Sequence, residues 1–154
     1  KGSDLLIKAF EKINVKKQFL LILLGPCNEK FKKYKSKEGI FIPDKKIKNI
    51  NEYMQSADLY AMISRNEGLG IVFLEALASG LRLVMPRIKG LSDFILNNSD
   101  QIGKETSYEV NDIKNKIIFF YKKRNKNNRL ECRDRFLNII NKKKIISQLK
   151  KNWS

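Results

Sequence analysis

No histidine occurs in these 154 residues. That excludes a histidine general base and the Cys/His kinds of zinc site. Cysteine is almost as scarce. Cys27 and Cys132 lie far apart, so a multi-bridge disulfide scaffold is excluded. One bridge or two free thiols remain, and two thiols in a reducing cytosol is the expectation. No apolar run approaches the roughly 20 residues of a membrane-spanning helix. Phe19–Leu24 is apolar but short and follows Lys16-Lys17, which suits a buried strand. No internal repeat and no low-complexity linker divides the chain. Acidic residues are also in short supply, with 16 Asp/Glu against 32 Lys/Arg and a net charge of +16.

What is present suits one domain with a real core, because 42% of residues are hydrophobic. The positive charge is lopsided. Residues 110–154 hold 14 Lys/Arg against 3 Asp/Glu, a net +11, and the rest of the chain carries +5. Such asymmetry fits a basic face for anionic lipid, nucleic acid or a phosphate-bearing ligand, or else a solvated helix surface. Phe119, Phe120, Tyr121 and Phe136 sit at helix-core spacing rather than as stacking platforms, so nucleic acid is the less expected partner.

Apolar periodicity predicts the elements. Ser3 or Asp4 can cap a helix to about Ile13, with Leu5, Leu6, Ala9, Phe10 and Ile13 on one face. Gln18–Leu24 and Gly39–Ile42 read as strands, and Asn28–Ser36 and Lys48–Ser56 as helices. Asp58–Ile63 is the next strand. A helix from about Gly70 to Ser79 follows, then the strand Leu83–Met85 and a short helix, Leu91–Leu96. An edge strand is placed near Ile102. Glu109–Arg124, Arg129–Ile140 and Lys142–Lys151 read as helices. Alternating strands and helices of this kind predict an α/β fold, a three-layer Rossmann-like doubly wound parallel sheet with a helical C-terminal tail. The core sheet unit covers about 1–108 and the tail 109–154.

One stretch, Ser64 to Ile95, carries the chemistry. A polar turn holds Glu67, Gly68, Leu69 and Gly70, and the helix after it holds Glu75. The turn lies beyond the carboxyl end of a strand, where open α/β sheets bind ligands. Glycines there allow backbone N–H groups close to a ligand, and a helix N-terminus favours an anion. Carboxylates accept hydrogen bonds from vicinal hydroxyls, so sugars and riboses are natural ligands. On the residues alone, Glu67 can equally cap the helix, Glu75 can be merely exposed, and the glycines can merely shape the turn. A carboxylate pair can also hydrolyse glycosides; the glycines and a nearby lysine favour a nucleotide-sugar instead.

The spacing of Ser64, Glu67, Gly68, Gly70, Leu74, Glu75, Ala76, Ala78 and Gly80 resembles the donor-binding signature of GT-B retaining glycosyltransferases of family four. Lys1, Gly2, Asp4, Leu6, Ile7, Ala9 and Phe10 resemble another segment of that family. So do Leu20–Gly25, and so does Tyr53–Tyr60 with its Ala57-Asp58 pair before an aromatic. The resemblance covers roughly Lys1 to Ile95. It implies one Rossmann-like half of a GT-B fold, the nucleotide-sugar-binding domain, whose N-terminal acceptor domain is absent from this chain. The isolated domain is then expected to bind donor without turnover.

The same resemblance implies a hexosyltransferase-like enzyme of cell-surface polysaccharide or glycolipid precursors. It would retain anomeric configuration and use no cofactor and no metal; a D-x-D motif is lacking. Glu67, the catalytic candidate, would meet donor-sugar hydroxyls and Glu75 the ribose. Gly68, Leu69 and Gly70 would offer N–H groups, and Lys1 would stabilise the departing diphosphate. Backbone groups at Ile42 or Pro43 would receive the base. Arg65 and Asn66 flank Glu67, as substrate contacts or as a solvated loop. Arg82 stands where the family usually has proline. Asp93 stands where it commonly has glutamate and reads first as a helix cap. The alternative is a basic nucleotide-, polyanion- or membrane-binding module without catalysis. Either way the expected location is cytoplasmic, with possible attachment to the anionic inner membrane face.

Overall fold

A computed structural model describes residues 2–13, 19–25, 39–42, 49–66, 70–89, 91–96 and 101–141. The helices expected over Asn28–Ser36 and Lys142–Lys151 lie outside these residues. In chain order the elements are α1 (Ser3–Ile13), β1 (Leu21–Leu24), β2 (Gly39–Ile42), α2 (Ile50–Ser56), β3 (Leu59–Ala61), α3 (Ile71–Ala78), β4 (Arg82–Met85), α4 (Leu91–Leu96), β5 (Gly103–Glu105), α5 (Val110–Lys122) and α6 (Asn128–Ile139). Among the described residues no helix is long and apolar enough to cross a membrane.

β4 lies between β3 and β5 in a parallel three-stranded sheet. Leu59 stands opposite Arg82, and Met85 opposite Glu105. All four β4 residues are buried. A strand with no wet face must be apolar on both sides, and period-two alternation decides which helices cover each one. Leu83 and Met85 enter a core with Met54 of α2, Phe73, Ala76 and Leu77 of α3, and Cys132 and Phe136 of α6. Val84 points the other way, into a cluster with Leu6 and Ala9 of α1 and Ile113 and Phe120 of α5. Neighbouring β3 divides alike, Leu59 and Ala61 packing with the second cluster and Tyr60 with the first. Helices therefore cover both faces, the three-layer α/β arrangement expected from the sequence.

β1 and β2 form a parallel pair of their own, Leu21 opposite Gly39 and Leu24 opposite Ile42. Leu21 and Leu23 join the α1/α5 cluster through side chains. Among the described residues the expected single sheet is thus two parallel pieces in backbone hydrogen bonding. The strand expected near Ile102 forms one step later, over Gly103–Glu105; Ile102 itself is fully buried, and its carbonyl accepts from Leu83 N–H.

Helix C-termini leave carbonyls without intrahelical partners, and two arginines meet that need. α3 closes with left-handed Gly80, whose N–H reaches Leu77 O, while Leu81 N–H reaches Ala76 O. This Schellman pattern leaves the Ser79 carbonyl open. Arg129 of α6 takes it at 2.8 Å, and the same guanidinium reaches the carbonyls of Met54, Gln55 and Ala57 at the end of α2. A β-carbon on Gly80 would stand 2.6 Å from Arg129 O, so α6 docks directly on this corner. Arg82 does the equivalent for α5. Its Nη2 donates to Phe120 O at 3.3 Å, and its guanidinium lies 4.7 Å from the Phe120 ring centre. Burial lowers the Arg82 pKa from its ordinary value. Arg82, which stands where the family usually has proline, is thus an interior tie.

Cys132 is a free thiol, fully buried, and burial pushes its pKa up to about 11 against the opposing effect of Arg82.

Arg129→Ala removes one donor group from four carbonyls, and unsatisfied acceptors cost more than the bonds lost. The expected loss is about 2–3 kcal/mol. Arg129→Lys recovers less than half, because an ammonium lacks the planar fork that spans two helix ends. Urea unfolding of the three proteins is the measurement; a lysine variant as stable as wild type would show that charge alone suffices.

Candidate functional site

The site begins where β3 ends. Ile63 and Ser64 are buried, 1% and 2% exposed, and the chain then turns outward through Arg65 and Asn66. Four contacts fix this turn. Gly2, with φ +73°, lies so close to Ile63 that any β-carbon there would overlap the Ile63 carbonyl oxygen. Arg65 forks onto the two Asp4 carboxylate oxygens at 3.2 and 3.1 Å. The Ser64 hydroxyl donates to Asn66 O at 3.0 Å. The Tyr108 hydroxyl donates to Ser64 O at 3.1 Å. Tyr108 is held in turn by the start of α5, where Asp112 accepts from Thr106 Oγ1 at 3.0 Å and from Ser107 N–H at 2.7 Å. Burial raises the Asp112 pKa, but these hydrogen bonds and Lys116 outweigh it and the net shift is down.

Across the turn, Gly70 caps α3 in the left-handed conformation, φ 61° and ψ 39°. A β-carbon on Gly70 would meet Leu91 Cδ2 at 2.8 Å and Phe73 Cδ2 at 2.9 Å. The site therefore needs glycine here for packing and backbone sign alike. Glu67, Gly68, Leu69, Lys1 and Pro43, all candidates from the sequence, lie outside the described residues. Ile42 is the last residue of β2, its backbone paired with Leu24.

Glu75 is the fifth of eight residues in α3, and it is exposed. It lines a concavity of about 520 Å³ with Asn51, Gln55, Ala78, Ser79, Arg129, Leu130 and Arg133. Arg129 spends its donors on helix carbonyls. Among the described residues no side chain pairs with the Glu75 carboxylate or the Arg133 guanidinium, so one acceptor and one cation remain free in one hollow. Asn51 and Gln55 add carboxamides that both donate and accept.

Two neighbours have other occupations. Arg65 is committed to Asp4, and Asn66 offers its carbonyl to Ser64. Asp93, in the first turn of α4, takes Arg87 at 2.7 Å; the Ile88 N–H is satisfied by the Ser92 hydroxyl. Glu105 shares Arg87 at 3.5 Å. Sequence reasoning missed Tyr108, Arg129, Arg133, Asn51 and Gln55 as parts of this region. Asp4 carried a signal, because it lies in the Lys1–Phe10 pattern, but it read as a cap rather than as the partner of Arg65.

A parallel sheet covered on both faces, with a glycine-capped helix after a turn at the strand's carboxyl end, is Rossmann-like and consistent with one half of a GT-B fold. The chain belongs to the family of glycosyl transferases group 1, whose profile matches residues 1–135. It is similar to an uncharacterised glycosyltransferase of Methanocaldococcus jannaschii, 26% identical over 122 residues. The match covers 77% of this chain and 34% of that relative, so the chain spans about a third of the relative's length.

The Arg65 guanidinium, above all, lowers the Asp4 pKa from the ordinary carboxylate value. A depressed folded-state value means that the pair stabilises fully above about pH 4 and is lost as pH falls through the folded value. Thermal unfolding followed from about pH 6 down to about pH 2 should therefore show a steeper acid loss for wild type than for Asp4→Asn. Parallel acid limbs would mean that the pair contributes nothing to folding.

Proposed function

We propose that this chain is the donor-binding half of a retaining, hexosyltransferase-like glycosyltransferase. The observation that supports the reading most is the tied backbone Ser64–Asn66 beyond the carboxyl end of β3, followed by left-handed Gly70 at the start of α3, the helix that carries the unpaired Glu75 carboxylate. A carboxylate on that helix suits the vicinal hydroxyls of a ribose, and the start of the helix suits a phosphate-bearing ligand. Glu67 binds hydroxyls of the donor sugar. Gly68, Leu69 and Gly70 direct N–H groups at the diphosphate, Lys1 adds a positive charge, and the backbone at Ile42 and Pro43 receives the base.

In the transfer, the bond between the anomeric carbon and the diphosphate oxygen breaks. The electron pair leaves with the nucleoside diphosphate, and an acceptor hydroxyl forms the new bond as its proton passes to the departing diphosphate oxygen. Negative charge grows on the leaving group, so fixed N–H groups and Lys1 bind the transition state better than the ground state. The acceptor, a polysaccharide or glycolipid precursor, is held by another domain.

Calorimetry with UDP, GDP and ADP, and with UDP-glucose, GDP-mannose and ADP-glucose, tests the reading. At least one pair should bind. Glu75→Ala should weaken the bare nucleotide by about 1.5–3 kcal/mol. Glu67→Ala should spare it and weaken the nucleotide-sugar. A folded chain that binds none of the six would overturn the assignment, and equal losses in both variants would overturn the division of roles.

The basic tail extends the reading to location. Lys122 at the end of α5 and Lys123, Arg124 and Lys126 in the short span before α6 are all exposed, and each cation near an anionic bilayer contributes about 1 kcal/mol. The reading places the chain at the inner membrane face by weak, reversible contact. Co-sedimentation with anionic vesicles should exceed that with neutral vesicles and fall with salt; equal binding to both refutes the membrane contact.

A further inference from the structure

We propose that Tyr108 is a positioning residue for the backbone Ser64–Asn66, which leads into Glu67 in the sequence, and holds it through Ser64. The inference rests on the sugar-binding role of Glu67 given above. Tyr108 is 45% exposed, yet its hydroxyl is spent on a backbone carbonyl 44 residues away in sequence. That carbonyl belongs to Ser64, buried to 2%, whose own hydroxyl turns forward to Asn66 O, one residue before Glu67. The two bonds run in series from Tyr108 through both ends of Ser64 to Asn66.

The anchor behind Tyr108 is equally fixed. Asp112 holds Thr106 and Ser107, and the Glu109 N–H donates to Ser107 Oγ at 3.3 Å. Thr106 N–H joins β4 through Met85 O at 2.9 Å. The turn after β3 is therefore referred to the centre of the sheet by a route that does not pass through β3 itself. Asp4 and Gly2 hold the same turn from α1, through Arg65 and Ile63. A carboxylate meeting sugar hydroxyls works only within a few tenths of an ångström of its place, and a turn without such ties would sample many placements.

Tyr108→Phe keeps the ring and removes only the hydroxyl, and the ring stands at the surface, so the variant folds. The first measurement needs no ligand: amide hydrogen exchange. It should quicken over residues 64–70 and stay unchanged over α1 and α6. The second is calorimetry with the six probes named above. The nucleotide-sugar should lose about threefold to tenfold in affinity while the bare nucleotide changes less than about twofold. Ser64→Ala, which cuts the second bond of the series, should give the same split. Unchanged exchange over 64–70 overturns the positioning role whatever the ligand data show. Faster exchange with equal losses for sugar and bare nucleotide also overturns it, because the effect then does not pass through the Glu67 turn. If the wild type binds a nucleotide no more tightly with its sugar than without, the Glu67 reading itself fails and takes the ligand half of the proposal with it.

Discussion

Everything in this domain is arranged around a strand that has no side facing water. β4 is buried at all four positions, so each face must be roofed by helices, and every polar group it carries inward must find a partner. Leu83, Val84 and Met85, each at 0% exposure, contribute about 1.5–3 kcal/mol apiece by leaving water. Arg82 is the cost of the same burial. Its guanidinium escapes as an orphan only because Phe120 offers both a carbonyl and a ring face. The packing that roofs β4 thus also selects where α5 must end.

The candidate site inherits its rigidity from that core without being part of it. The carboxyl ends of β3 and β4 deliver Ile63 and Pro86 still buried, and the first polar backbone beyond β3 is caught by Tyr108 and by the contacts from α1. Gly70 then restarts the chain as helix only because Leu91 and Phe73 leave no room for a side chain. Gly2, Asp4 and Tyr108 converge on the short backbone from Ile63 to Asn66. The ties fix the backbone at Ser64 and Arg65 from two sides, through Tyr108 before α5 and through Asp4 of α1.

What could be read from the sequence was what leaves a local trace. Phe10 with Leu6 and Ala9, or Ile113 with Phe120, repeat at helical spacing, and Leu83–Met85 is a continuous apolar run between breakers. The signature from Ser64 to Gly80 was readable because its residues are consecutive on one turn and one helix. Arg82 was not, since a cation at a strand start reads as surface unless the Phe120 carbonyl is known to wait behind it. Tyr108 and Arg129 were invisible for the same reason. Their partners are backbone carbonyls 44 to 75 residues distant, and a carbonyl has no letter in the sequence. The hollow beside Glu75 escaped likewise, because Asn51, Gln55 and Arg133 come from two helices that only the tertiary fold brings to α3.

The Arg129 guanidinium has a consequence for the order in which the chain becomes a structure. Synthesis delivers the N-terminal end first, at about 5–20 residues per second. α2 and α3 emerge complete while the group that closes their carbonyl ends is still 50 to 75 residues from being made. Until it arrives those ends can be satisfied only by water, and the apolar sides of Met54 and Leu77 lack the cover that Cys132 and Phe136 bring. The nascent sheet is thus an assembly waiting for its fastener, open to chaperones for about 3–15 seconds at that rate. Only with α6 in place are the carbonyl ends of both helices satisfied by the protein itself.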